Sequence, residues 1–222
     1  METRRGVGVK PAGVASLVAQ DIRERIFDGR LRADERVPQD SIAEELGVSR
    51  LPVREALIAL EADGLVRTEQ HRGTFVNEIT QQDLRDHYTI CGLIHGLAAS
   101  RAAMRMDAED IAQLRRMNDA MLETDDESER YDLHWRFHQL INRVGGSNRL
   151  RSVLHQLSHN LPRSLFTSIS PRDVEARDAH STIIDALSQG DEALAATLCR
   201  RHLEAEAEIL IEGLTAKGLF TE

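Results

Sequence analysis

The chain has 222 residues, a formal net charge of −9 at pH 7 and 41% hydrophobic residues. This length allows one large domain or two small ones and is enough to bury a core without disulfides. The two cysteines, Cys91 and Cys199, lie far apart and outside any CxxC pattern, which excludes a disulfide scaffold or a cysteine-rich zinc module and favours a reducing compartment. No apolar run approaches the ~18 residues of a membrane span, and no apolar segment follows the charged first residues, so we expect a cytoplasmic protein with no membrane partner.

The N-terminal part is predicted to be helical after a flexible tail. Residues 1–12 contain Gly, Pro and Arg without an apolar period and are expected to form the tail. Apolar residues then recur every fourth position from Val14 to Ile26, which is typical of an amphipathic helix, and Gly29 ends it.

Two further helices and a hairpin are expected next. The second helix covers residues 39–46 and is closed by Gly47. Ser49 can cap the third helix, which Gly64 ends. The apolar stripe of the third helix consists of Val53, Ala56, Leu57 and Leu60. The alternating runs LVRTE and TFVNE, joined by QHRG, predict a β-hairpin.

Three helices followed by a hairpin is the order of a winged helix-turn-helix, and the third helix has features of a DNA-reading helix. Arg50 and Arg54 are four residues apart and lie roughly 90° around the helix from its apolar stripe, so both can face outward. Arginine can pair bidentately with guanine or bind a phosphate, and Ser49 can reach a phosphate. At the hairpin tip, the candidates for a minor-groove or backbone contact are His71, Arg72 and Gly73. The alternative is an ordinary helix pair with solvated arginines. The acidic net charge does not exclude DNA binding, because it is an average over the whole chain and one face can still be basic.

The strings GVSRLPVREAL, LEADGLV and HRGTFV resemble GntR-type bacterial transcription regulators over about residues 14–78. The resemblance implies a winged helix-turn-helix domain, residues 13–79, that binds double-stranded operator DNA. The positions it implicates in DNA contact are Ser49, Arg50, Leu51 and Arg54 on the recognition helix and His71, Arg72 and Gly73 on the wing. One position departs from the family pattern: Asp40 stands where the family often carries an arginine that meets DNA, which removes one contact or repels phosphate.

From Thr80 onward the pattern predicts only helices. Thr80 and Asp83 match a capping box at the start of the first one, and Asp107 and Asp191 suit N-caps. The expected spans are 81–104, 107–122, 128–144, 147–166, 171–188 and 191–214. Six helices with short connections indicate a mostly antiparallel bundle over residues 80–222, so the expected fold class of the whole chain is mainly α.

Four histidines of the second region are predicted to meet inside this bundle. His134 and His138 lie one turn apart on one helix, a spacing that can chelate one metal ion. His180 and His202 lie ~9 and ~11 residues from the turn at residues 189–191, so at 1.5 Å rise per residue they fall at similar heights if their helices are antiparallel. The alternative is that these histidines only pack or face solvent.

The segment FHQLINRVGGSNRL and the ending H…DAL…D…A…H resemble the all-helical effector domain of the FadR branch of GntR regulators, the FCD type. The resemblance covers most of residues 83–210 and implies a domain that binds an effector and dimerises. Metal-binding members carry an aspartate four residues before the first of three histidines. Here the four places hold His134, His138, His180 and His202, so His134 replaces the aspartate. Four imidazoles suit a divalent metal such as Zn²⁺ or Ni²⁺.

Candidates for the effector pocket come from helical spacing and from the same resemblance. His87, Cys91 and His95 share one face of the first bundle helix. The family often has an arginine and a glutamate at the places of Cys91 and His95, and that arginine can help hold an effector carboxylate. His159 and Arg163 share a stripe farther along the chain. The alternative is that all five only pack or face solvent.

We therefore predict a ligand-responsive transcription repressor, a homodimer whose two recognition helices bind a two-fold symmetric operator. A small molecule, with an organic acid as the candidate, is expected to bind in the bundle near the metal and to change the arrangement of the DNA-binding units. One alternative is a metal sensor in which the ion itself is the signal. The other is a metal-dependent hydrolase, but the sequence lacks an HExxH motif, an obvious general base and a Ser-His-Asp arrangement, so no enzyme activity is predicted.

Overall fold

The computed structural model describes residues 11–158, 160–165 and 174–220. The chain divides into two compact units, and the division falls between Ile79 and Thr80.

The first unit contains helices and a small sheet in the order expected of a winged helix-turn-helix. Its elements are α1 (Pro11–Phe27), α2 (Gln39–Glu45), α3 (Arg50–Ala62), β1 (Val66–Glu69) and β2 (Gly73–Val76). The two strands pair antiparallel, from Val66 opposite Val76 to Glu69 opposite Gly73. Helix α1 already includes Pro11 and Ala12, which the sequence predicted as tail, because the fixed φ of proline suits a first helical turn. The rest of the predicted tail, residues 1–10, lies outside the described residues.

The packing of α3 leaves one of its edges on the surface. The predicted apolar stripe is buried, and its members are Val53, Ala56, Leu57 and Leu60. Gly47, with φ +63°, allows the tight turn before the helix, and the Val48 amide donates to the carbonyl of Ala43 across that turn. Arg23 of α1 pairs with Asp63 at the end of α3 at 2.6 Å, which joins the two helices. The edge of α3 beside this stripe, which carries Arg50 and Arg54, is exposed in the described part of this unit.

The second unit is helical throughout its described part. Its elements are α4 (Gln81–Ala103), α5 (Ala108–Glu123), α6 (Glu127–Gly145), α7 (Asn148–Ser158), α8 (Val174–Ser188) and α9 (Glu192–Ala216). The predicted capping box of Thr80 and Asp83 is confirmed. So are the N-caps at Asp107, which accepts from two backbone amides, and Asp191, which accepts from one.

Helices α4 and α9 pack antiparallel at close range. Cβ atoms added at Gly92 and Gly96 would lie 3.3 Å from the carbonyl oxygen of Arg200 and 2.9 Å from that of Ala196. Small residues at the crossing let the two backbones approach, and the buried apolar cluster of the unit draws residues from α4, α5, α6, α8 and α9. This packing brings one face of α6, α8 and α9 together in the interior.

One predicted helix is shorter than expected. The span 147–166 was predicted as continuous, but α7 ends at Ser158, and of the later residues in that span that the structure describes, only 163–165 are helical. Pro162 explains the break, because proline has no amide hydrogen and disfavours helical geometry in the residue before it. None of the helices that the structure describes is long and apolar enough to cross a membrane.

Candidate nucleic-acid interface and metal centre

The surface edge of α3 carries the residues predicted to meet DNA. Arg54 is exposed and forms no ion pair within the residues described. Arg50 is also exposed, and its Nε lies 2.7 Å from the carboxylate of Asp40. Leu51 is 63% exposed. Ser49 occupies the N-cap position with extended backbone geometry, but its side chain makes no capping hydrogen bond. The predicted capping role of the Ser49 hydroxyl is therefore not realised, and α3 does not use this group.

The hairpin tip is exposed but partly engaged with its own strands. His71 has a positive φ of 63° and is exposed. Arg72 pairs with Glu69 and lies over the ring of Phe75, 5.4 Å from its centre. A Cβ at Gly73 would lie 2.7 Å from the Nε of Arg36, so glycine here makes room for a side chain of the same unit.

The second unit brings together the four histidines predicted as metal ligands. His134 and His138 come from α6, His180 from α8 and His202 from α9, and their candidate ligand atoms all lie within 4.8 Å of one another. The ring centres of His180 and His202 are 4.5 Å apart, as the antiparallel α8–α9 pair requires. Gly190, with φ +70°, makes the turn between those helices.

Hydrogen bonding alone does not satisfy this cluster. The Nε2 atom of His134 lies 3.1 Å from Nε2 of His138 and 3.2 Å from Nε2 of His202. One ring nitrogen offers either one hydrogen or one lone pair, so it cannot bond to both. In addition, Nε2 of His180 is buried with no hydrogen-bond partner among the residues described. A cation among these nitrogens would use every lone pair, and two nitrogens bound to one tetrahedral zinc lie about 3.4 Å apart, so the donor set fits such an ion.

The sequence did not point to a fifth member of the cluster. An oxygen of Glu206 lies 2.9 Å from Nε2 of His134 and 3.1 Å from Nε2 of His202. Glu206 is one turn after His202 on α9, so an i,i+4 His–Glu spacing was the available signal.

Electrostatics favour the metal-binding forms of His138, His180 and Glu206, but favour the protonated form of His134. Burial, followed by the charges of neighbouring histidines, holds the pKa values of His138 and His180 well below the usual range. Burial also lowers the pKa of His134, but the charge and hydrogen bond of Glu206 more than compensate and leave it raised. Burial raises the pKa of Glu206, yet His134 and His202 hold it well below its usual range. His138 and His180 are thus neutral, and Glu206 is ionised, before any ion binds.

A cavity of about 660 Å³ adjoins the histidine cluster. His138 lies in both, and His95 of α4, whose ring centre is 5.4 Å from that of His138, also lines the cavity. Burial lowers the pKa of His95 to about 4, so it is neutral near pH 7. The arginines in the wall come from α6 and α7, and they are Arg136, Arg143 and Arg151.

Most of the other residues predicted for the effector pocket lie elsewhere. His87 and Cys91 are not part of the cavity wall, and Cys91 Sγ instead lies 3.7 Å from Nε2 of His87. Arg163 pairs with Asp132 at 2.8 Å and lies over the ring of Tyr131, which holds it against the N-terminal half of α6. His159 lies outside the described residues.

Comparison with known proteins places both units in one family of regulators. The model of the bacterial regulatory proteins of the gntR family matches residues 15–76, and the FCD domain model matches residues 86–205. The chain belongs to the GntR family. Within it, the second unit is an FCD domain, so the expected combination of a winged helix-turn-helix and an FCD bundle is confirmed.

Relatives of this GntR protein are regulators. An HTH-type transcriptional regulator of Mycobacterium tuberculosis is 30% identical over 66% of this chain, and the matched part spans 60% of that relative's length. A probable D-xylose utilization operon transcriptional repressor of Paenarthrobacter nicotinovorans is 31% identical over 86% of each chain. A solved GntR family regulator from Pseudomonas syringae pv. tomato is 26% identical, with a TM-score of 0.58 over 93% of this chain and 89% of its own. The family and these relatives are regulators and not enzymes, so the hydrolase alternative is not supported.

Proposed function

We propose that the protein is a ligand-responsive transcription repressor that binds operator DNA through its first unit and a small effector through its second. The observation that carries the proposal is the exposed edge of α3, where the guanidinium of Arg54 has no ion-pair partner in the part of the chain that the structure describes. An uncompensated cation on a helix edge of a gntR-type unit favours a polyanionic partner. The repressor name of the Paenarthrobacter relative supports the sign of regulation.

In this proposal α3 enters the major groove. Arg54 and Arg50 reach base edges or phosphates, and the Ser49 hydroxyl, which α3 does not use for capping, donates to a phosphate. Leu51 offers an apolar contact to a thymine methyl group. His71 at the hairpin tip contacts the backbone or the minor groove, whereas the pairing of Arg72 with Glu69 limits its reach.

The same proposal includes a homodimer, which would present two copies of α3 to a two-fold symmetric operator. An apolar stripe on the surface of α4 supports it. Ile90, Leu93 and Leu97 recur along one face of that helix and are 49%, 57% and 48% exposed. Three large apolar side chains at such spacing favour a partner helix over solvent. The proposal also places the protein in the cytoplasm, because a regulator that binds operator DNA acts where the DNA is.

We also infer that His134, His138, His180 and His202 hold a divalent ion, with Zn²⁺ and Ni²⁺ as the candidates for a set of imidazoles. When bound, the ion would supply a positive charge at the wall of the adjoining cavity. The buried, unpartnered Nε2 of His180 supports this inference, since an orphaned polar atom in an apolar interior costs stability.

The effector is proposed to be a small organic acid in the cavity beside the histidines. A volume of about 660 Å³ is in the range of small-molecule sites. Arg136, Arg143 and Arg151 in its wall favour an anion. The arginine that the family often carries at the place of Cys91 is then replaced in function by the arginines of α6 and α7 in the cavity wall.

A metal sensor, in which the ion itself is the signal, is the second candidate, because the four histidines could hold an ion without any effector in the cavity. A DNA-release assay distinguishes the ligand sensor from the metal sensor. A duplex that the protein selects from a random library is labelled with a fluorophore, and its release from the protein is measured. For a ligand sensor, a library of mono- and dicarboxylates contains an acid that releases the metal-loaded protein, and Zn²⁺ or Ni²⁺ alone changes binding little. If no acid acts and addition or chelation of the ion alone switches DNA binding, the metal-sensor alternative replaces the ligand-sensor proposal.

A further inference from the structure

We propose that Glu206 is itself a ligand of the metal ion, so that α9 supplies a carboxylate to the site. This inference rests on the metal occupancy proposed for the four histidines. It adds a fifth residue to the donor set and makes that set four imidazoles and one carboxylate.

The position of the carboxylate is the first argument. One oxygen of Glu206 lies 2.9 Å from Nε2 of His134 and 3.1 Å from Nε2 of His202. Nε2 of His134 is also 3.1 Å from Nε2 of His138. The oxygen therefore faces the same small space as three of the ligating nitrogens.

The choice of nitrogen distinguishes a ligand from a supporting group. A carboxylate that only orients a metal-bound histidine accepts a hydrogen bond from the other ring nitrogen, on the side away from the ion. Glu206 instead contacts the Nε2 atoms, which are the atoms that approach one another in the cluster. This geometry points to direct ligation.

Charge is the second argument. Four neutral imidazoles leave the double positive charge of the ion uncompensated in a buried site, which is costly. Both candidate ligands from α6 are histidines, so α6 contributes no anion to the set. Glu206 restores one negative charge to the site from α9.

Glu206 has different ion-pair partners from the neighbouring glutamates on α9. Glu204 pairs with Arg200 at 3.9 Å, and Glu208 pairs with Arg85 at 2.8 Å. Glu206 has only the two histidines as ion-pair partners in the residues described, and its side chain is 24% exposed. Glu206 is thus a largely buried carboxylate that faces histidines, whereas the glutamates two residues away face arginines. This position suits a carboxylate that binds a cation.

The test uses the full-length protein, Zn²⁺ as the probe and two measurements. Zn²⁺ affinity is measured by competition with a colorimetric chelator. Zn²⁺-induced difference infrared spectra report whether a carboxylate changes its stretching frequencies when the ion binds. Glu206→Gln keeps the shape and removes the charge, and Glu204→Gln on the same helix is the matched control. If Glu206→Gln does not fold, Glu206→Asp serves instead, because it keeps the charge and retracts the oxygen by one methylene.

We expect the wild type and Glu204→Gln to bind one Zn²⁺ with the same affinity and the same carboxylate difference bands. Glu206→Gln should bind at least about 10-fold more weakly and lose those bands. Equal affinity of Glu206→Gln, or a wild-type spectrum without carboxylate bands, overturns ligation by Glu206 and leaves the histidine site standing. If the wild type binds neither Zn²⁺ nor Ni²⁺, the proposed metal occupancy fails, and this inference fails with it.

Discussion

The carboxylate of Asp40 lies 2.7 Å from Nε of Arg50, across the turn that joins α2 and α3. Both side chains are largely exposed, so the pair contributes at most about 1 kcal/mol to stability. Its effect is on orientation. With Nε engaged by Asp40, the two terminal nitrogens of Arg50 are left for another partner, and a fixed guanidinium can pair bidentately with a guanine. In the proposed DNA complex, Asp40 would therefore help to orient Arg50 and not only repel phosphate.

Replacement of Asp40 by alanine should weaken sequence discrimination. Without its partner, Arg50 loses its fixed orientation, and the loss of one negative charge raises binding to any duplex. We expect the ratio of affinities for selected and scrambled duplexes to fall several-fold at constant salt, as measured by fluorescence anisotropy. Asp28→Ala, which removes an equal charge at an exposed site that pairs with Arg30, is the control. An unchanged ratio in Asp40→Ala would show that the ion pair has no role in recognition.

Replacement of Arg54 by alanine should reduce operator affinity without loss of stability. A bidentate base contact contributes about 1–3 kcal/mol, or roughly 5- to 150-fold in affinity. The melting temperature should not change, because Arg54 is exposed and has no ion pair with any residue that is described. Gel-shift titration and thermal denaturation measure the two effects, and Arg115→Ala in the second unit is the charge-matched control. Wild-type affinity in Arg54→Ala would contradict the role assigned to this residue.

Replacement of His138 or His202 by alanine should lower metal content and effector affinity together. Each loses one ligand of the proposed ion, and His138 also lines the cavity. Elemental analysis of the purified protein should give near one equivalent of Zn or Ni in the wild type and far less in either variant. His71→Ala, which changes an exposed histidine of the first unit, should keep the full metal content. If the wild-type protein contains no metal even after exposure to Zn²⁺ and Ni²⁺, this prediction is contradicted.

Replacement of Gly145 by alanine should destabilise the second unit. The new Cβ would lie 1.8 Å from the carbonyl oxygen of Ala98 on α4, so the backbones of α4 and α6 must separate. Overpacking of this kind costs about 1–3 kcal/mol or more. Gly29→Ala is the comparison, because a Cβ there meets nothing within 4 Å and only the positive φ of 78° is strained, at a cost of about 1 kcal/mol. Urea denaturation measures the free energy of unfolding of each variant. Equal losses of stability in Gly145→Ala and Gly29→Ala would mean that α4 and α6 are not in close contact.

The two cysteines should resist alkylation in the native protein. Burial raises the pKa of both thiols to about 12, with a smaller contribution from Glu206 at Cys91. An increase in pH from 7 to 9 converts an ordinary cysteine to thiolate but leaves these two protonated. Mass spectrometry after iodoacetamide treatment at pH 8 should find little labelling in the native state and two labels in urea. Rapid labelling of the folded protein would contradict the burial of these thiols.

Local patterns in the sequence predicted most of the elements, because they depend on neighbours along the chain. The apolar stripe of α3 and the caps at Asp107 and Asp191 follow from spacing alone. The meeting of His180 and His202 follows from helical rise and one short turn at Gly190. These features need no knowledge of how distant helices pack.

The remaining features depend on packing between helices far apart in sequence. The contact of Glu206 with His202 follows from i,i+4 spacing on α9, but its contact with His134 on α6 depends on tertiary packing that this spacing does not contain. The arginines of the cavity are not predictable from local spacing either, because the wall they share is formed by two different helices, α6 and α7. The break after Ser158 is predictable from the sequence, because Pro162 interrupts helical geometry even where the apolar period continues.

Selection of duplexes from a random library is the most direct test of the central claim, that the exposed edge of α3 binds DNA. The wild type should enrich one sequence, arranged as an inverted repeat if two copies bind together, and Arg54→Ala should enrich it weakly or not at all. If the wild-type protein enriches no sequence after repeated rounds, with the metal supplied and no effector added, the account of this protein as an operator-binding regulator is contradicted.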